Sequence, residues 1–187
     1  MNYQNIACWG DSQTFGARTY GCYPLHLARM LNAQTRYAWQ AINLASNGHT
    51  ARNLWFRIPH DLAALSDVYQ ACILIGANDV GNDSPLDLFE EYYRQILHSL
   101  RIKHFRVAFC ASIPPIGADG HAFFPTEAER RRGAYNERIE AAVSTSPIAK
   151  LVKLSDLPQD CFCDPVHPSE TGNELIAERF AQAIMAF

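Results

Sequence analysis

No stretch of the chain stays apolar long enough to span a bilayer. The opening residues Met1-Asn2-Tyr3-Gln4-Asn5 carry neither the basic segment nor the apolar core of a secretory leader. The expectation is a cytoplasmic protein without an integral membrane segment. Blocks of like charge are missing too. Net charge is −3, and the densest charged stretch, Glu127-Ala128-Glu129-Arg130-Arg131-Arg132, mixes signs as a solvated helix face does. This argues against nucleic acid or an anionic membrane as the main partner. Paired metal-ligand spacing is absent: Cys161-Phe162-Cys163 is too tight, and no second pair answers it. Neither a metal nor another cofactor is expected. Internal repeats, low-complexity tracts and linkers are lacking as well.

What is present is a 187-residue chain, 48% hydrophobic and 19% charged, which reads as one soluble domain over residues 1–187 with a sizeable core. Nothing in it specifies an oligomeric state. Of the six cysteines, Cys8, Cys72 and Cys110 sit within apolar runs, where cysteine behaves as a small hydrophobe. Without an export signal, reduced thiols are expected.

Strand-like and helix-like segments alternate. Residues 5–9, 39–45, 71–75, 106–111 and 149–154 read as strands, and 71–75 is continuously apolar, as in a parallel strand covered on both faces. Helical spacing marks 23–32 and, most clearly, 85–103, where Leu88, Tyr92, Ile96 and Leu100 fall in register. A helix beginning near Thr50 or Ala51 is expected to be short or broken at Pro59. Residues 113–126 read as a Pro- and Gly-containing loop, after which Thr126 caps a helix to about residue 144; Pro168 opens the last helix. The alternation predicts an α/β fold, a parallel five-stranded sheet with helices on both faces.

Ligands of such sheets bind beyond the C-terminal strand ends, so the residues following each strand matter most. They are Gly10-Asp11-Ser12, Asn47-Gly48-His49, Gly76-Ala77-Asn78-Asp79, the Pro-rich loop, and Asp164-Pro165-Val166-His167. A serine needs a base to act as nucleophile. His167 can supply one, and Asp164, three residues earlier, can hold it in one tautomer. Donors for an oxyanion are available from the backbone N–H groups of Ser12 and Gly48 and the side-chain amide of Asn78. Each stretch also has a plainer reading: Asp11 and Ser12 as a helix cap, Asp164-Pro165 as a turn, His167 as a loop histidine, and Asn78-Asp79 as a simple turn, whereas the functional reading makes Asn78 a donor and Asp79 a support for the loop.

The four stretches in this order resemble the four blocks of the SGNH hydrolase superfamily, the GDSL-type esterases and lipases. Gly10-Asp11-Ser12 is similar to the first block, Asn43 through Gly48 with Thr50 to the second, Gly76-Ala77-Asn78-Asp79 to the third and Asp164-Pro165-Val166-His167 to the last. The resemblance covers nearly the whole chain. It implies a three-layer flavodoxin-like sandwich and metal-independent ester hydrolysis through an acyl-serine. On it, Ser12 is the nucleophile, His167 the base, Asp164 its partner, and Ser12, Gly48 and Asn78 form the oxyanion hole. The first block reads Gly-Asp-Ser-Gln, which places Gln13 on the pocket wall.

The substrate is expected to be a small ester with a short, acetyl-type acyl group. A lysophospholipase or thioesterase with a longer acyl channel is the alternative, and a non-catalytic binding module of the same fold the third reading. His49, Arg52, His121 and Phe123 are the candidate substrate contacts, with Trp55, Phe56 and Phe124 as further apolar wall.

Overall fold

The computed structural model describes residues 2–117 and 127–187. The chain runs β1 (Tyr3–Gly10), α1 (Ser12–Phe15), α2 (Tyr23–Gln34), β2 (Ala38–Ala45), α3 (Ala51–Ala64), β3 (Gln70–Leu74), α4 (Ala77–Gly81), α5 (Leu86–Ile102), β4 (Val107–Ala111), α6 (Ala128–Ser144), β5 (Ala149–Val152) and α7 (Glu170–Met185). The strands form one parallel sheet in the order β2-β1-β3-β4-β5. This is the flavodoxin-like order, with the topological switch beside β1.

Alternation along the strands divides the core in two. Ala7, Trp9, Ala71, Ile73, Ala108 and Cys110 face α3, α5 and α6, while Ile6, Cys8, Cys72, Leu74, Val107 and Phe109 face α2 and α7. Both faces are apolar, which is why the strands read as continuous hydrophobic runs rather than alternating ones. All six cysteines are free thiols.

The register places the functional turns side by side. Gly10 at the end of β1 pairs with Ala45 at the end of β2 and with Leu74 at the end of β3. The turns that follow these three strands therefore leave the sheet at one level. Gly10 sits where a Cβ would come within 2.3 Å of the Leu74 carbonyl oxygen and 2.0 Å of Thr14 Oγ1, so only glycine lets β1 enter its turn here.

Three local expectations are corrected. Helix α3 is neither short nor broken: it runs through Pro59 for 14 residues. Proline inside a helix costs about 3 kcal/mol, but Pro59 is exposed while Leu54, Ile58 and Leu62 on both sides of it are buried. Burial of each such side chain contributes roughly 1.5–3 kcal/mol, which outweighs the break. Strand β5 ends at Val152 rather than 154, because the N–H groups of Leu154 and Ser155 turn to the buried Ser112 Oγ, at 2.8 and 3.0 Å. The charged run at 127–132 is more than a solvated face. Arg132 donates to the Ile113 carbonyl at 3.0 Å, and Glu129 accepts the Ile116 N–H at 2.8 Å, so the two clamp the chain leaving β4. Thr126, expected as a helix cap, lies outside the described residues.

Candidate active site

The first turn separates the two residues that a capping reading would lump together. Asp11 is the cap: its Oδ1 accepts the Gln13 N–H at 2.9 Å and starts α1. Ser12 is the first helical residue, and its hydroxyl lies 3.1 Å from His167 Nε2. On the far side of the ring, His167 Nδ1 lies 2.7 Å from Asp164 Oδ2. With the Nδ1 proton directed at the carboxylate, Nε2 is left to accept from the serine hydroxyl.

Asp164 builds its own segment. Its Oδ1 accepts the backbone N–H groups of Val166 and His167, at 2.8 and 2.7 Å, which folds residues 164–167 into a tight turn and turns the imidazole back over the carboxyl. Burial would raise the Asp164 carboxyl, but the His167 N–H, the His167 ring and the Val166 N–H outweigh it and hold the group below its ordinary range. It stays ionised through neutral pH. Its Oδ2 also meets Arg18 Nε at 2.9 Å.

The turns after β2 and β3 carry the other candidate groups. Gly48, after β2, is exposed and has φ +76°, a left-handed backbone suited to glycine. Asn78, after β3, gives one of its two amide protons to the His49 carbonyl at 2.9 Å, which joins the two turns and leaves its other proton as the candidate oxyanion donor. Asp79 reaches in the other direction: its Oδ2 accepts the Ala51 N–H at 2.9 Å and anchors the start of α3. Arg57 in α3 pins the same region, with Nε donating to His49 Nδ1 at 3.2 Å and another N–H to the Leu44 carbonyl. Burial and the Arg57 cation hold the His49 ring below its ordinary pKa, so it serves Arg57 as a neutral acceptor.

Ser12, His167 and Asp164 are thus brought into one hydrogen-bonded chain, with Gly48 and Asn78 on the turns of the neighbouring strands. The sequence-predicted substrate contacts distribute differently. Gln13 is not on a pocket wall. It is 1% exposed, and its amide donates to the Val166 carbonyl at 2.8 Å, so it is consumed in joining the serine turn to the histidine turn. Arg52 is exposed and stands over the Phe56 ring, 5.2 Å from its centroid. It borders an open cleft of about 490 Å³ lined also by Thr50, Asp79, Leu88 and Tyr92. Trp55 packs between Phe56 and Tyr92. His121, Phe123 and Phe124 lie outside the described residues. A second cleft, about 620 Å³, is lined by Ile116, Phe162, Cys163, Asp164 and Pro165. Sequence reasoning missed Arg18 and Arg57, because only the folded chain brings them to Asp164 and His49. Among the described residues, no cluster of His, Cys, Asp and Glu side chains is arranged to hold a metal ion, and no helix is long and apolar enough to cross a membrane.

Residues 8–175 match the model of the GDSL-like lipase/acylhydrolase family. The chain belongs to this family. None of the curated proteins matches it. Several solved structures share its fold. An acetyl xylan esterase, AlAXEase, is 17% identical over 96% of this chain and 99% of its own, with a TM-score of 0.78. An acetylxylan esterase from Geobacillus stearothermophilus, solved as a catalytic mutant, is 19% identical over 98% of this chain and 95% of its own, with a TM-score of 0.79. TesA is 15% identical over 98% and 99% of the two chains, with a TM-score of 0.80. As a member of the GDSL-like family, the chain is a hydrolase of the lipase and acylhydrolase type, which makes a small-molecule ester its substrate class.

Proposed function

We propose that this GDSL-like hydrolase cleaves small, short-acyl esters through an acyl-Ser12 intermediate. The observation that carries this is the unbroken sequence of contacts from Ser12 Oγ through both ring nitrogens of His167 to Asp164. Ser12 Oγ attacks the ester carbonyl carbon while His167 Nε2 takes the hydroxyl proton. Asp164 stabilises the imidazolium that results. The carbonyl oxygen becomes an oxyanion, held by the N–H groups of Ser12 and Gly48 and the remaining Asn78 amide proton. The C–O bond to the leaving alcohol breaks as His167 returns the proton to it. Water, deprotonated by His167, then attacks the acyl-serine and frees the acid.

The choice of an acetyl-type acyl group is supported by the open cleft that Asp164 borders, and by the fold shared with two acetyl xylan esterases. The test is p-nitrophenyl ester turnover across acyl lengths from acetyl to palmitoyl, with Ser12→Ala as control and a fluorophosphonate probe as label. Highest kcat/KM on acetyl, loss of turnover in Ser12→Ala and labelling of Ser12 alone are expected. A preference for long acyl groups would overturn the short-acyl assignment. An unlabelled Ser12 would overturn the mechanism.

A further inference from the structure

The two segments that carry the candidate catalytic groups meet at three points. Ser12 meets His167 at 3.1 Å, Gln13 meets the Val166 carbonyl at 2.8 Å, and Arg18 meets Asp164 at 2.9 Å. The first two contacts belong to the core of the turn. The third has no packing reason behind it, since the Arg18 side chain is 60% exposed. Its backbone is nevertheless held at φ +68°, in the left-handed region that a non-glycine residue seldom occupies. The turn that imposes this is firmly built. Gly16 and Ala17 donate to the Ser12 carbonyl, at 3.2 and 3.1 Å. Thr19 Oγ1 bonds the carbonyls of Gly16 and Gly21, at 3.0 and 2.8 Å, and accepts from Asn173 of α7 at 3.4 Å. The same short segment therefore presents both the serine and the arginine.

Arg18 Nε approaches Oδ2, the oxygen that also holds His167 Nδ1. A cation on that oxygen does two things. It restrains the carboxylate in the orientation that fixes the imidazole. It also takes up part of the negative charge that would otherwise stabilise a protonated ring, because the guanidinium and an imidazolium compete for one anion. Among the described residues, the other ionisable groups facing this spot are Cys163, whose thiol contacts the His167 carbonyl, the Ser12 hydroxyl, and Glu129, which borders the same cleft as Asp164 and is paired with Arg132. We propose that Arg18 is a positioning residue that fixes Asp164 against His167 and lowers the pH at which His167 becomes available as a base. Its meaning for catalysis rests on the esterase reading above; its electrostatic effect on His167 does not.

The experiment follows the His167 ring by NMR titration in the whole protein at low ionic strength, with the signal assigned through His167→Gln. In Arg18→Gln the titration midpoint should rise by about 0.5 unit, the scale of a partly exposed ion pair. In Arg18→Lys, which keeps the charge, the rise should be smaller. Salt at 0.5 M should raise the wild-type midpoint and shrink the difference. The acid limb of kcat/KM on p-nitrophenyl acetate should move in parallel. The wild-type salt titration keeps the test independent of whether a variant folds. A midpoint unmoved by Arg18→Gln, or in the wild type by salt, would overturn the proposal. A moved midpoint without any ester turnover would retain the role of Arg18 and remove the esterase reading instead.

Discussion

Gln13 Nε2 donates to the Val166 carbonyl across 153 residues of sequence, and both groups are buried. This one bond fixes the spacing between the turn of Ser12 and the turn of His167. Removing it leaves a buried carbonyl without that partner, a loss of about 1–3 kcal/mol. Gln13→Ala should therefore lower the unfolding free energy by that amount, read as a lower denaturant midpoint at unchanged m-value. On the proposed mechanism it should also reduce kcat more than KM, because it loosens the serine–histidine contact without touching a substrate group. Equal changes in kcat and KM would place Gln13 at the substrate after all.

Asn78 has a different position, spending one amide proton on the His49 carbonyl, and the proposed mechanism assigns its other proton to the oxyanion. Asn78→Ala should lower kcat on p-nitrophenyl acetate about 10²- to 10³-fold, the usual loss for one oxyanion donor, with a small change in KM. Asn78→Asp should do no better, since it supplies an acceptor where a donor is needed. Steady-state kinetics on both variants is the check, and a kcat within a few-fold of wild type would remove Asn78 from the oxyanion hole.

Much of the fold was legible because its strands are short apolar runs buried on both sides, and such runs stand out in a sequence. The site was legible for a related reason: in a parallel sheet the residues after each strand gather at one edge, so the Gly-Asp-Ser, Gly48, Asn78 and Asp164/His167 stretches could be placed together before any distance was known. What could not be read were pairings made by topology alone. Arg18 and Asp164 meet because the first and last turns pack together, and no local pattern announces it. Gln13 reads as a pocket-wall residue until its amide is found on Val166. Pro59 looks like a helix break until the buried stripe around it is seen.

The glycines at positions 10 and 48 should separate under the same substitution. A Cβ at Gly10 meets the Leu74 carbonyl and Thr14, whereas a Cβ at Gly48 meets nothing within 4 Å and has only its φ of +76° against it. Gly10→Ala should lose at least about 2 kcal/mol of stability through overpacking. Gly48→Ala should lose about 1–2 kcal/mol, the left-handed penalty of a residue bearing a Cβ. If the Gly48 N–H holds the oxyanion, Gly48→Ala should also lose more activity than stability, as thermal melts beside kcat would show.

Two buried carboxyls beneath the site set a further expectation. Asp11 is pushed up to about 7, first by burial and then by the charge of Asp79, and Asp79 is pushed up to about 7 by its own burial. Among the described residues, Asp11 Oδ2 also has no hydrogen-bond partner. Unfolded, both groups titrate near ~4. Between that value and about 7 the folded chain holds protons that the unfolded chain has released, so the slope of stability with pH is negative. The stabilising effect is complete below pH ~4 and is lost as pH rises through about 7. Asp11→Asn keeps an oxygen for the Gln13 N–H but removes the ionisation, so its stability should fall less than that of the wild type between pH 5 and 8. One unit of pKa displacement corresponds to about 1.4 kcal/mol, so relieving even part of the effect is measurable by urea unfolding across this range. Parallel wild-type and Asp11→Asn curves would show that Asp11 ionises in the folded protein as readily as in the unfolded chain.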